Sequence, residues 1–353
     1  MIKKIIALGF VMLFAGVSLF AIDITITPPT ISGGVYDYAN LDNVEKLFRD
    51  EADDALAKFD TMDNLVKAMS HATSYAADGA TIRNFIGYKR FAIAVGAMGA
   101  LQSSSFDISE TANKVEDAQD IDFGINAQAV TVSVGVNLGF LVDGLYVSGK
   151  VGSFSFNIED FDIGMFSCGL SAQYQLMDPK KSLLVTWKGL QVGTGFVYYK
   201  SDISFKTNAS VTTPAVAING GGGGWGTLTY NPTLAAKFET KGIKIPVDLM
   251  TGVRLAVLDI SFGLGADINI WSKSDLSYKA EGETYLTTSL PVTATPGHAK
   301  VSGGTTGKSD IFKFKAMSGL GLSLGPVKLD VPITYYFGDG YGANVGVTAG
   351  VVF

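Results

Sequence analysis

Long runs in which apolar and polar residues alternate one by one cover most of this sequence from about Phe91 to its end. Successive side chains of a β-strand point to opposite faces, so this period predicts strands with one apolar and one polar face. Each run is close to the ~9–11 residues that a tilted strand needs to cross a bilayer. The clearest apolar positions are Val130, Val132, Val134, Val136, Phe166, Leu170, Tyr174, Leu258, Phe262, Leu264, Phe312, Phe314 and Leu320.

The composition narrows the choice of fold. Charged residues make up 17% of the chain, below the roughly 25% of an ordinary soluble domain. Mean hydropathy is +0.27, yet only residues 5–22 form an apolar stretch near the ~18 residues that a transmembrane helix needs. A helical membrane protein and a water-soluble enzyme are therefore both disfavoured. A closed β-barrel remains, since it pairs every backbone polar group within a membrane.

The expected fold class is all-β, a closed antiparallel transmembrane β-barrel with a short N-terminal helical region. Single-chain bacterial barrels normally have an even number of strands, so we expect about twelve, within a range of roughly ten to fourteen. Eleven segments are recognisable, so one strand is either overlooked or divided in two. Residues 81–90 and 284–295 are the candidates for an overlooked strand. The segments begin near residues 91, 122, 145, 163, 188, 226, 243, 258, 311, 327 and 343.

Residues 1–21 read as a cleaved secretory signal peptide. Lys3 and Lys4 precede an apolar core, and Ala21 ends a plausible cleavage site. Its removal takes away two lysines and no acid, so the formal net charge falls from −6 to −8. This acidic balance provides no basic surface for nucleic acid.

Residues 22–85 form a helical lead, and residues 86–353 form the barrel. Apolar residues recur about every fourth position from Val44 to Phe59, and a second helix follows Asp60-Thr61. The helical lead can either plug the lumen or lie outside it as a periplasmic hairpin.

The polar faces of the strands predict the lining of the lumen. A charge on the lipid face would cost about 2–4 kcal/mol near the bilayer midplane, so charged residues are assigned inward. A lining of mixed sign can form an aqueous constriction or a salt-bridged interior. Aromatic residues near strand ends, Tyr199 and Tyr336 among them, suit interfacial girdles. The lumen-lining candidates are Lys150, Lys200, Lys237, Asp248, Arg254, Asp259, Asp267, Lys313, Lys315, Lys328 and Asp330.

The sequence offers little for catalysis or metal binding. His71 and His298 are the only histidines, and we expect a helix-surface position for the first and a loop position for the second. Cys168, the single cysteine, falls on an apolar face and reads as a small hydrophobe. We therefore expect no catalytic residue, no metal site and no cofactor.

The last strand carries a more specific signal. Ala343, Val345, Val347 and their odd-numbered successors form one apolar face that ends at Phe353. This strand resembles the recognition signal of bacterial outer-membrane β-barrel proteins, and the resemblance covers roughly residues 90–353. It implies a place in the outer membrane, reached by export with a cleaved signal peptide. It also implies outer-membrane lipid and the barrel-assembly machinery as partners, with Phe353 as part of the assembly signal.

A helical lead before a barrel also resembles, more distantly, fatty-acid-transporter-type barrels and barrels of unknown function with a helical preface. The expected function is a porin-like pore or transporter for small solutes, hydrophobic ones included. The alternative is a surface-exposed structural or adhesive barrel without transport. That alternative rests on three long connections, at residues 102–120, 207–224 and 280–309.

Overall fold

A computed structural model describes residues 23–27, 29–32, 62–79, 85–104, 123–158, 160–212, 216–218, 224–288, 293–338 and 340–353. The predicted signal peptide and the first predicted helix lie outside these residues. Within them the chain has one helix, α1 (Met62–Ala76). The strands are β1 (Asp23–Thr27), β2 (Thr30–Ser32), β3 (Phe91–Ser103), β4 (Phe123–Asn137), β5 (Leu145–Ile158), β6 (Phe161–Met177), β7 (Lys180–Ser182), β8 (Val185–Asn208), β9 (Val211–Thr212), β10 (Val216–Ile218), β11 (Gly224–Leu255), β12 (Leu258–Thr288), β13 (Thr293–Thr295), β14 (Gly297–Gly307), β15 (Phe312–Leu324), β16 (Val327–Phe337) and β17 (Tyr341–Val352).

Ten strands close into a ring, which confirms the predicted antiparallel barrel. The order is β12, β15, β16, β17, β3, β4, β5, β6, β8 and β11, and the ring closes because β11 also pairs with β12. The last strand meets the first strand of the ring, with Val347 opposite Ala97. Closure leaves no unpaired edge among these strands, as a lipid environment requires.

The ring has two strands fewer than the preferred twelve, although it lies within the expected range. The segments that begin near residues 226 and 243 are one continuous strand, β11, and a register shift between Ile243 and Lys244 interrupts its pattern. Among the described residues, neither segment considered for an overlooked strand adds a strand to the ring. Residues 85–90 form no strand, and Thr284–Thr288 end β12.

The two ends of the barrel differ. Short connections at residues 138–144, 178–184, 256–257 and 325–326 lie at one end, called the turn end. β3, β8 and β12 end at the other, called the loop end, and long stretches of sequence separate them from the next strands of the ring. Short turns on one side and long loops on the other are typical of outer-membrane barrels.

The outside of the ring is apolar. Outward side chains such as Val132, Leu264, Phe314 and Val347 are between 41% and 65% exposed. An apolar band around a closed barrel is the surface that lipid covers. In the described part of the chain, α1 is neither long nor apolar enough to cross a membrane.

Two strands run well past the ring at the loop end. β11 has 32 residues and β12 has 31, whereas β16 has 11. The far part of β12 pairs with β14, and β14 pairs with β1. We call β1, β14 and the far parts of β11 and β12 the extension sheet.

Candidate functional site

α1 lies inside the ring. Every residue from Ser70 to Gly79 is buried, so the wall surrounds this part of the helix on all sides. Small side chains such as Ser70, Ala72 and Ala76 keep the helix narrow. About eight strands leave room only for side chains, whereas cans of about eleven strands enclose a central helix. A ring of ten strands lies between these two sizes, so it can enclose a helix whose side chains are small.

The helix runs from the loop end into the middle of the barrel. Near its start, Asp63 Oδ1 accepts a hydrogen bond of 2.5 Å from Thr305 Oγ1. Further along, a side chain at Gly124 would overlap the Ala68 backbone, so the wall needs a glycine there. The helix ends before Gly79, whose positive φ of +53° favours glycine. The structure thus places α1, the described helix of the predicted lead, in the lumen, whereas β1 and β2 of the same lead are strands that pair with β14 and β13.

The wall supplies the cations that the end of α1 lacks. α1 has no basic residue in its last turn. Lys244 Nζ donates to Ser74 O at 2.7 Å. Lys150 Nζ donates to Ala77 O at 2.7 Å and to Asp78 O at 2.6 Å. Ammonium groups at these carbonyls satisfy the unpaired acceptors and complement the helix dipole.

Five buried charges extend this contact, and we call them the central network: Asp78, Lys244, Asp248, Asp267 and Lys315. Lys244 Nζ lies 2.9 Å from Asp78 Oδ1 and 2.9 Å from Asp267 Oδ2. Lys315 Nζ lies 2.8 Å from Asp248 Oδ1 and 2.5 Å from Asp267 Oδ1. Both lysine side chains are 0% exposed. Since a buried charge without its partner is costly, the network makes the seated position of α1 specific.

Aromatic and amide groups complete the same contact. Tyr336 stacks on Tyr75 with 3.7 Å between ring centroids and 11° between planes. Tyr336 OH donates to Asp78 Oδ2 at 2.8 Å. Asn344 Nδ2 donates to Tyr75 O at 3.0 Å. Tyr336 therefore belongs to the lumen and not to an interfacial girdle, as does the fully buried Tyr199.

A third contact holds α1 near the loop end. Asp310 forms ion pairs with two lysines: Lys67 Nζ lies 3.0 Å from Oδ1, and Lys313 Nζ lies 2.8 Å from Oδ2. His71 Nε2 lies 3.3 Å from the same Oδ2 atom. Burial lowers the pKa of the His71 imidazole from its usual 6.5. His71, Lys313 and Lys67 hold the pKa of the Asp310 carboxyl far below its usual range. His71 is 1% exposed, so its expected helix-surface position is corrected.

Four charged residues and one serine form a separate group near the turn end, and we call it the turn-end cluster: Lys188, Arg254, Asp259, Ser323 and Lys328. Asp259 Oδ1 lies 3.0 Å from Lys188 Nζ and 2.9 Å from Arg254 Nε. Ser323 Oγ donates to Asp259 Oδ2. Lys328 Nζ donates to Ser323 Oγ at 2.8 Å. The cluster is therefore a continuous chain of polar contacts.

A small cavity with both polar and apolar lining lies beside the end of α1. Its volume is about 60 Å³, enough for a few water molecules. Its lining includes Ser133, Ser148, Lys150 and Gln173.

The side chains of nine predicted lumen residues point into the barrel, and those of two point outward. Lys200 and Lys237 are corrected: their side chains are 45% and 52% exposed and pair with Asp202 and Glu239 on the outer face. Both lie toward the loop end, where the membrane no longer penalises an outward charge. The inward residues are Lys150, Asp248, Arg254, Asp259, Asp267, Lys313, Lys315, Lys328 and Asp330.

Three important residues were not predicted. Lys244 shares the inward phase of Asp248 on β11, so the alternation could have identified it. Lys188 lies beside a register shift that breaks the alternation of β8. Asp78 follows a helix, so no strand period applies to it. His298, expected in a loop, lies in β14 instead.

Comparison with known proteins identifies the family. Residues 31–351 match the family model described as Lsa36-like. The matched region includes α1 and all ten strands of the ring. None of the curated proteins matches this sequence.

Solved structures show only distant likeness. The translocator domain of the autotransporter NalP from Neisseria meningitidis is 13% identical, with 91% of this chain and 100% of that chain covered and a TM-score of 0.30. The Ralstonia pickettii toluene transporter TbuX is 8% identical, with 81% and 95% covered and a TM-score of 0.28. A Pseudomonas aeruginosa FadL homologue is 9% identical, with 83% and 98% covered and a TM-score of 0.25. Likeness at this level carries no argument about function.

Proposed function

We propose that this chain, which belongs to the Lsa36-like family, is an outer-membrane barrel that conducts small solutes through a lumen closed at rest by α1. The observation that carries the proposal is the position of α1, which is buried in the ring and held by the central network. If α1 can leave the lumen, the polar wall around it would form an open channel, so α1 would act as the gate.

The outer surface supports the membrane location. Exposed apolar side chains encircle the ring, and they include the outward residues Val345 and Val347 of its last strand, β17. The proposal includes export by a cleaved signal peptide and contact with outer-membrane lipid and the assembly machinery. In a bacterium with two membranes, a barrel with such an apolar surface is expected in the outer membrane.

The chemistry of the plug contact supports gating. α1 is bound by ammonium, carboxylate, hydroxyl and amide groups, such as Lys244, Asn344 and Ser309, in addition to the apolar packing of its end against the wall. Water can replace these contacts when the helix leaves, whereas an apolar contact would resist wetting. The wall left behind is polar and carries both signs of charge. It therefore favours hydrophilic solutes over hydrophobic ones.

A disulfide staple tests the proposal. Ser70 Oγ and Ser309 Oγ lie 2.7 Å apart, so S70C and S309C in a C168A background can join α1 to the wall. We expect conductance in planar bilayers when urea, below the range that unfolds the barrel, releases the reduced helix. The oxidised staple should abolish this conductance.

A matched control joins two strands outside the plug contact. Thr212 and Thr229 are opposite each other, with 3.4 Å between their Oγ1 atoms. Oxidising T212C and T229C in the same background should leave conductance unchanged. Equal conductance of the oxidised and reduced S70C/S309C staple would contradict gating by α1.

The extension sheet favours a second candidate function, a surface-exposed adhesive barrel. Its outer face carries ion pairs such as Lys273–Asp275, at 2.8 Å. This sheet continues past the apolar band and offers a polar surface. Protease added to intact cells should cleave the connection at residues 209–223, and its removal should abolish binding to host or matrix surfaces. Resistance to protease together with unchanged binding would contradict this candidate.

A further inference from the structure

Lys328 is a buried ammonium with few partners. It is 8% exposed, and among the described residues it makes one hydrogen bond, to Ser323 Oγ, and no ion pair. An ammonium has three donors, and a desolvated one needs acceptors or an opposite charge. We infer that the turn-end cluster binds a small oxyanion of the phosphate or carboxylate class.

The nearby carboxylate does not meet this need. Asp259 Oδ1 already lies close to Lys188 Nζ and Arg254 Nε, and Asp259 Oδ2 accepts from Ser323 Oγ and, at 3.4 Å, from Arg254 Nη2. Two cations thus share one carboxylate. Ser323 Oγ donates its one hydrogen bond to Asp259 Oδ2 and offers only a lone pair to Lys328. The third cation of the cluster therefore lacks a carboxylate in direct contact.

The charge balance points the same way. The cluster contains three cations and one carboxylate. The buried carboxylate on the same inward face, Asp330, reduces the excess to one positive charge. A monoanion would remove the remaining excess. The central network, in contrast, has Lys150 beside two buried lysines and three aspartates, so its charges balance.

The position of the cluster gives an oxyanion access. Lys328 is the second residue of β16, directly after the connection at residues 325–326. The Arg254 side chain is 34% exposed and uses only its Nε and Nη2 groups in the described contacts. Its planar guanidinium can offer the remaining donors to a second oxyanion. The ligand would therefore enter from the turn end, without passing α1.

Isothermal titration tests the site with the full chain folded in an uncharged detergent. Inorganic phosphate and acetate are titrated separately at constant ionic strength, and no lipid is present, so a lipid headgroup cannot supply the anion. We expect saturable binding of at least one anion. K328Q should weaken it at least tenfold, and K328R should restore most of it.

K237Q provides the matched control, since Lys237 is an exposed lysine of the extension sheet. It should bind as the wild type does. Heat-modifiable gel mobility verifies that each variant is folded. As a second readout, the anion should raise the melting temperature of the wild type and not that of K328Q. Absence of saturable binding, or equal affinity of wild type and K328Q, would overturn the inference.

Discussion

Replacing Lys244 with methionine removes the charge at the centre of the plug contact and keeps the length of the side chain. The Nζ atom of Lys244 lies within 2.9 Å of Ser74 O, Asp78 Oδ1 and Asp267 Oδ2, and the side chain is 0% exposed. Its loss leaves buried carboxylates without their cation. Removing one partner of a buried ion pair costs about 3–5 kcal/mol.

Release of α1 relieves most of this cost, because Asp78 leaves with the helix and water can enter to solvate Asp267. Since each ~1.4 kcal/mol is a tenfold change, the released population should rise by about 100- to 4,000-fold. Asp267 keeps Lys315 at 2.5 Å, and Asp78 keeps Tyr336, so the lower end of the range is expected.

Single-channel recording measures the released population as the fraction of time spent open. K237M is the matched control, because this exposed lysine pairs with Glu239 on the outer face and should contribute about 0–1 kcal/mol. We expect a large gain in open time for K244M and none for K237M. If K244M has the open time and the heat stability of the wild type, the central network does not hold the helix.

Three further predictions concern other parts of the molecule. The pKa of His71 is lowered when α1 is seated, so below about pH 6.5 the released helix binds more protons than the seated one. Open time should therefore rise as the pH falls from about 7.5 to about 5, and H71Q should remove this dependence. Asp310 stays ionised throughout this range because its pKa lies below the ordinary value of an aspartate. G124V should displace α1 by overlap with Ala68 and increase open time, and a wild-type recording would contradict this packing. V347K should cost the folded barrel about 2–4 kcal/mol in urea titration within lipid vesicles, and unchanged stability would contradict the lipid-facing position.

The strand alternation predicted the barrel and most of the inward positions, because the membrane penalises outward charge along the whole apolar band. The alternation no longer predicts which side chains point inward in the parts of the strands that extend beyond the apolar band, because an outward charge is not penalised there. Lys200 and Lys237 lie toward the loop end and point outward, although they belong to strands of the ring. β11 was divided because it is 32 residues long, far beyond what a bilayer needs.

The contacts of α1 could not be predicted from the same pattern. A helix of small residues fits a narrow lumen, yet its sequence does not specify which wall surrounds it. Lys244 and Asp78 are far apart in the chain, and only closure of the ring brings them to 2.9 Å. Lys188 was missed because a register shift changes its phase.

Conductance of residues 22–353 and of residues 80–353 tests the gated lumen most directly. The deletion removes α1 together with β1 and β2, and it keeps Phe85 and Tyr88, which pack against the start of β3. We predict a silent full-length barrel under resting conditions and stable conductance steps after the deletion, with heat-modifiable mobility in both forms. Steps of equal size and frequency in the full-length barrel, or a folded deletion variant that stays silent, would contradict closure of the lumen by α1.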